Sequence, residues 1–78
     1  MKNKNKYIEV FIKSFSLDKK KFNEKIKYQD IPEWDSIGHM TMISNLEEAF
    51  KISIDTDDII DFSSFKKGIQ ILKKYKVN

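Results

Sequence analysis

Cysteine is absent from the 78-residue chain, so neither a disulfide framework nor a thiolate zinc site can be built from it. A single histidine, His39, is too few for a histidine-rich metal cluster. Two glycines and one proline supply too few turn residues for a many-stranded β fold. No apolar run approaches the roughly 20 residues needed to cross a bilayer. The basic start Met1-Lys2-Asn3-Lys4-Asn5-Lys6 is not followed by the apolar stretch of a secretory signal. These absences lead to the expectation of one small helical domain over residues 1–78, a soluble cytoplasmic monomer without membrane insertion.

Charge is present, and it is segregated. Residues 1–34 carry nine lysines against five acids, and residues 62–78 carry five lysines and no acid. Between them, Asp35, Glu47, Glu48, Asp55, Asp57, Asp58 and Asp61 face Lys51 alone. A chain built only to hold nucleic acid has no need of this acidic middle. The basic flanks, Lys19-Lys20-Lys21 above all, keep open a small basic nucleic-acid-binding domain as the alternative, against solubilising lysine. Basic patches interleaved with exposed aromatics are not evident, and no nucleic-acid partner is expected.

Apolar spacing places the helices. Ile8, Phe11, Ile12 and Phe15 recur at helical intervals as one stripe, with Ser16 at its end. Residues 16–35 read as a long connection with a short helical turn near 18–25. In it Phe22, Ile26, Tyr28 and Ile31 serve as apolar anchors. Pro32 fixes its own φ and drives Ile31 toward extended backbone, so no helix crosses this point. A second helix is predicted from Asp35-Ser36, both good caps, to about Phe50. Its apolar residues Met40, Met42, Ile43, Leu46, Ala49 and Phe50 cover about half the circumference, wider than one packing stripe. Such a helix is either central in the bundle or uses part of its apolar surface outside the core. Asp57–Asp61 makes a short helix with acids at its favourable end. Ser63 or Ser64 caps a last helix carrying Phe65, Ile69, Ile71, Leu72 and Tyr75.

The stretch that bears chemistry is Trp34-Asp35-Ser36-Ile37, followed by Leu46-Glu47-Glu48 and Phe50. Asp35 and Ser36 taken alone read as a helix cap. With the downstream pattern and the helix spacings, the chain resembles the acyl carrier protein family from about Tyr7 to Tyr75. The family's Asp-Ser-Leu motif opens the second helix, with Ile37 here in place of the leucine. Tyr28-Gln29-Asp30-Ile31 is similar to the family's aromatic-x-Asp-Leu loop anchor. Ile54, the acidic short helix and Ser63-Ser64-Phe65 also match.

The resemblance implies an all-α, acyl-carrier-like bundle of three longer helices plus one short helix with a long first loop. It implies a non-catalytic carrier whose Ser36 accepts a phosphopantetheine arm from a phosphopantetheinyl transferase. The arm's thiol would then hold an acyl or aminoacyl intermediate as a thioester, and so supply the sulfur that the chain lacks. In the family the aspartate before the serine helps position the metal-bound donor, a role implied for Asp35. Acyl-loading and acyl-processing enzymes are the implied partners, meeting the second and short helices. That assigns docking to Ile37, Met40 and Ile43 as an apolar centre, with Glu47, Glu48, Asp57 and Asp58 around it; a solvated acidic face is the plainer reading.

Gly38-His39-Met40 departs from the commonest fatty-acid carriers and is similar to carriers of polyketide, aminoacyl and specialised acyl pathways. His39 lies one turn from Ser36, so a serine–histidine nucleophilic pair is conceivable, though no carboxylate orienter is evident. Met40, Met42, Leu46, Ile54, Ile59 and Phe62 either line an acyl cavity or pack as ordinary core, the second being favoured. Trp34 is expected to pack. An adaptor that keeps the fold and is never modified is a further alternative.

Overall fold

In the computed structural model, which describes residues 1–78, the chain is all-helical. Helix α1 spans Lys4–Phe15, α2 Ser36–Phe50, α3 Thr56–Asp61 and α4 Phe65–Lys74. A 3-10 turn at Lys19–Lys21 interrupts the long connection between α1 and α2. Three longer helices, one short helix and a long first loop are what the apolar spacing predicts.

The buried face of α1 is Tyr7, Val10, Phe11 and Phe15, with Ile8 and Ile12 half-buried at its margin. The face is thus rotated from the Ile8–Phe11–Ile12–Phe15 stripe, and Tyr7 is the reason. Its ring stacks on Phe65 at 4.4 Å, and its hydroxyl donates to the Phe65 carbonyl at 2.7 Å. A polar atom with such a partner can be fully buried. Burial pushes the Tyr7 hydroxyl far above its ordinary pKa, so it remains a donor.

Phe11 lies at the centre of an aromatic cluster. Its ring centroid is 5.1 Å from Tyr7, 5.7 Å from Phe15, 5.2 Å from Trp34 and 5.1 Å from Phe65, all edge-to-face. Quadrupole interactions favour that geometry over face-to-face sandwiches. Met42, Ile43 and Leu46 of α2 and Ile71 and Leu72 of α4 complete the core. Helix α4 brings its backbone up to this cluster at Gly68, where a Cβ would run into the Tyr7 hydroxyl and the Phe62 ring.

The broad apolar surface of α2 resolves into two faces. Met42, Ile43 and Leu46 point inward, whereas Ile37 and Met40 are 79% and 51% exposed. The helix therefore does spend apolar surface outside the core.

The long connection is anchored as its apolar spacing predicts: Ile26 is buried, and Phe22, Tyr28 and Ile31 are half-buried against the core. A short seam joins it to the start of α4. The Phe65 N–H donates to the Ile26 carbonyl at 3.0 Å, and the Tyr28 N–H donates to the Ser63 carbonyl at 2.9 Å. An antiparallel bridge between Lys27 and Ser64 lies between these two bonds. Ser64 also caps α4, accepting from the Lys67 N–H at 2.9 Å.

Candidate functional site

Ser36 is the first residue of α2 and is exposed. Asp35 is the cap, its carboxylate accepting from the Gly38 N–H at 2.8 Å. Of the two residues suited to capping, Asp35 therefore does the work and leaves the Ser36 hydroxyl free of it. The first-turn N–H groups and the positive end of the helix dipole make this a favourable place for a phosphate. The preceding loop folds tightly over the helix start: a Cβ at Gly38 would collide with the Glu33 carbonyl. Only glycine lets the loop and the helix approach this closely.

The Tyr28 hydroxyl lies 3.3 Å from the Ser36 Oγ. The long connection thus supplies a polar neighbour that no local motif around Ser36 points to. Behind it, Trp34 is fully buried, and its indole N–H donates to His39 Nδ1 at 2.9 Å. That bond makes Nδ1 an acceptor and assigns the proton of the neutral ring to Nε2, which donates to the Ile59 carbonyl at 2.8 Å. His39 is therefore a strut between α2 and α3. Both ring nitrogens are engaged away from Ser36, so the serine–histidine pair conceivable from their spacing is not formed. Trp34 packs, as expected, stacking on Phe15 at 5.3 Å.

An open cleft of about 370 Å³ runs from Ser36 between α2 and α3. Tyr28, Ser36 and Ser63 bring hydroxyls to it, Met40, Ile59 and Ile60 form apolar walls, and His39 and Phe62 close it from below. Of the six side chains that could line an acyl cavity, Met42, Leu46 and Ile54 are buried core. Met40 and Ile59 line the cleft, and Phe62, itself buried, forms part of its floor.

The residues assigned to docking divide in the same way. Ile37 and Met40 are exposed next to Ser36, and Glu48 and Asp57 are exposed. Ile43 is 1% exposed and belongs to the core, because it shares the inward face of α2 with Met42 and Leu46. Glu47 is half-buried and accepts from the Ile54 N–H at 2.8 Å, fixing the turn after α2. Asp58 is buried, its two carboxylate oxygens 2.6 Å from Lys74 Nζ and 2.6 Å from the Tyr75 hydroxyl. The Tyr75 hydroxyl in turn accepts from the Asp55 N–H at 2.9 Å. These bonds hold the Asp58 carboxyl below the ordinary aspartate range, and they raise Lys74 and Tyr75 above theirs. Ile43 and Asp58 thus leave the docking set, and Asp58 instead fastens α3 to the end of α4.

Ile60 joins the exposed apolar group, at 77% exposure, although spacing alone does not single it out. The six residues of α3 carry adjacent isoleucines, and consecutive side chains of a helix lie about 100° apart, so both cannot face one neighbour. That adjacency is the signal that could have found it.

No protein-family model matches the chain, and no solved structure matches it. Among curated proteins it is similar to an acyl carrier protein of Lactobacillus johnsonii, 24% identical over 72 residues. The match covers 92% of this chain and 90% of the relative. The similarity spans nearly the whole of both chains, and the fold is all-helical, with three longer helices and a short one.

Proposed function

We propose that this chain is a non-catalytic carrier that holds an acyl or aminoacyl intermediate as a thioester on a phosphopantetheine arm attached to Ser36. The observation that carries the reading is the placement of an exposed serine hydroxyl at the first residue of α2, beside an open cleft, in a chain similar over nearly its whole length to an acyl carrier protein. The arm supplies, when attached, a terminal thiol.

The residues around Ser36 fit such a group. The start of α2 favours the phosphate, Tyr28 offers a hydroxyl at the attachment oxygen, and the cleft gives a polyamide arm both hydroxyls and apolar walls. Asp35 holds the helix start in shape and would position the donor complex during transfer. A phosphopantetheinyl transferase is the partner for modification, and acyl-loading and acyl-processing enzymes are partners for use, in the cytoplasm. Ile37, Met40 and Ile60 form the apolar part of the docking surface, with Glu48 and Asp57 as its acidic part. Exposed charges of this kind tune encounter and partner choice more than they tighten a complex, which suits a shuttle.

Incubation with coenzyme A and a broad-specificity phosphopantetheinyl transferase, followed by intact mass measurement, tests the reading. The wild type is expected to gain the arm and Ser36→Ala is not. An unchanged wild-type mass with several transferases would overturn it, leaving the unmodified adaptor or, with salt-sensitive DNA binding, the nucleic-acid reading.

A further inference from the structure

The cleft beside Ser36 is open above and firmly closed below. Phe62, 1% exposed, forms one half of its floor. Behind Phe62 stand the Phe11 ring, stacked at 6.3 Å, and the α4 backbone at Gly68, too close to leave room even for a Cβ. Phe62 therefore has nowhere to retreat. His39 forms the other half, 6.1 Å from the Phe62 ring and edge-on to it. It is fixed by Trp34 on one nitrogen and by the Ile59 carbonyl on the other. Swinging it aside would leave a buried indole N–H without an acceptor, which costs more than an ordinary hydrogen bond contributes. The space beyond the floor is occupied by the packed rings of Phe11, Phe15, Trp34 and Phe65.

We infer that the acyl or aminoacyl cargo is displayed in the open cleft and kept out of the core, because His39 and Phe62 close the way in, so that the cleft shelters only a short group. The inference rests on the reading of Ser36 as the attachment site. The cleft's volume of about 370 Å³ lies near the small end of ligand pockets, which span roughly 300–1,000 Å³. The hydroxyls of Tyr28 and Ser63 at its rim suit a hydroxyl, keto or amino group better than a bare alkyl chain. A long alkyl chain would have to stay in water.

The test loads the chain with acyl-phosphopantetheine from a series of acyl-coenzyme A donors, butanoyl to dodecanoyl, with loading verified by intact mass. Two readouts follow: the rate at which hydroxylamine cleaves the thioester, and the melting temperature. If the chain entered the core, each buried methylene (~0.8 kcal/mol) would favour the protected state about fourfold. Long cargo would then be cleaved orders of magnitude more slowly than short cargo. The expected result is cleavage rates within about twofold across the series, less than one methylene's worth of burial, and no rise in melting temperature with length. Phe62→Val, which opens the floor while keeping an apolar side chain, is expected to introduce length-dependent protection. Steep protection in the loaded wild type overturns this inference alone, and needs no variant to fold. Failure to gain mass with several transferases overturns the attachment reading and this inference with it.

Discussion

His39→Ala is the sharpest single perturbation of the site's architecture, because His39 receives one bond from a fully buried donor and makes another across two helices. Removing the ring strands the Trp34 indole N–H, at about 1–3 kcal/mol for an unsatisfied buried group. It also deletes the bond to the Ile59 carbonyl, worth about 0.5–1.5 kcal/mol. Together they predict a loss of about 1.5–4.5 kcal/mol, a substantial part of the ~5–15 kcal/mol typical of a folded domain. Urea unfolding followed by far-UV circular dichroism measures it, since the cycle partner Trp34→Phe removes the chain's one tryptophan. In Trp34→Phe the donor is gone, so His39→Ala in that background should cost less, with a coupling of about 0.5–3 kcal/mol for residues in direct contact. A cost below about 0.5 kcal/mol for His39→Ala, the size of an ordinary surface change, or strictly additive single mutants, would refute the strut.

Other consequences are equally direct. Ser36→Ala should leave stability within about 2 kcal/mol of wild type, since Asp35 keeps the cap; a larger loss in chemical denaturation would return Ser36 to a structural role. Leu46→Ala, at a fully buried position, should cost about 2–5 kcal/mol in the same assay. Gly68→Ala drives a methyl into Tyr7 and Phe62; an overpacking cost of about 1–3 kcal/mol should outweigh the ~1 kcal/mol helix-propensity gain, giving a lower melting temperature. The Asp58 carboxyl is held down by Lys74 and Tyr75, so its stabilisation is complete above the ordinary aspartate pKa and fades as pH falls through the lower folded value. Lys74 and Tyr75 are raised by Asp58, so their share is complete below their ordinary pKa values and fades as pH rises through the higher folded ones. Melting temperature should therefore decline on both the acid and the strongly alkaline side, and Asp58→Asn should flatten both limbs.

Helix number, order and approximate bounds are legible in the sequence because apolar spacing, capping residues and Pro32 agree with one another. So is the position of Ser36 at a helix start. The facing of α1 is less legible: aliphatic periodicity passes over Tyr7, whose burial depends on a carbonyl 58 residues away in sequence. The same limit applies to Asp58. The other acids of α3, Asp57 and Asp61, are exposed to water, and only the arrival of Lys74 and Tyr75 from the end of α4 draws Asp58 inward. Ile43 reads as part of a broad apolar arc, and the choice of which part faces the core is made by the docking of α1 and α4. Tyr28 reads as a loop anchor, which it is, but its approach to Ser36 is a product of the loop's whole path.

The seam between the long connection and the start of α4 bears on how the molecule breathes. Its bonds belong to segments more than 30 residues apart in sequence, so neither side can open without surrendering the other's partner. A connection stitched in this way belongs to the same cooperative unit as the helices. The amide protons of Tyr28 and Phe65 should then exchange with solvent only at the pace of near-global opening, slowly for residues in and beside a nominal loop. The surroundings of Ser36 would inherit that persistence on the side of Tyr28. On the other side, the six-residue α3 is held by side-chain bonds, His39 to the Ile59 carbonyl and Asp58 to Lys74 and Tyr75.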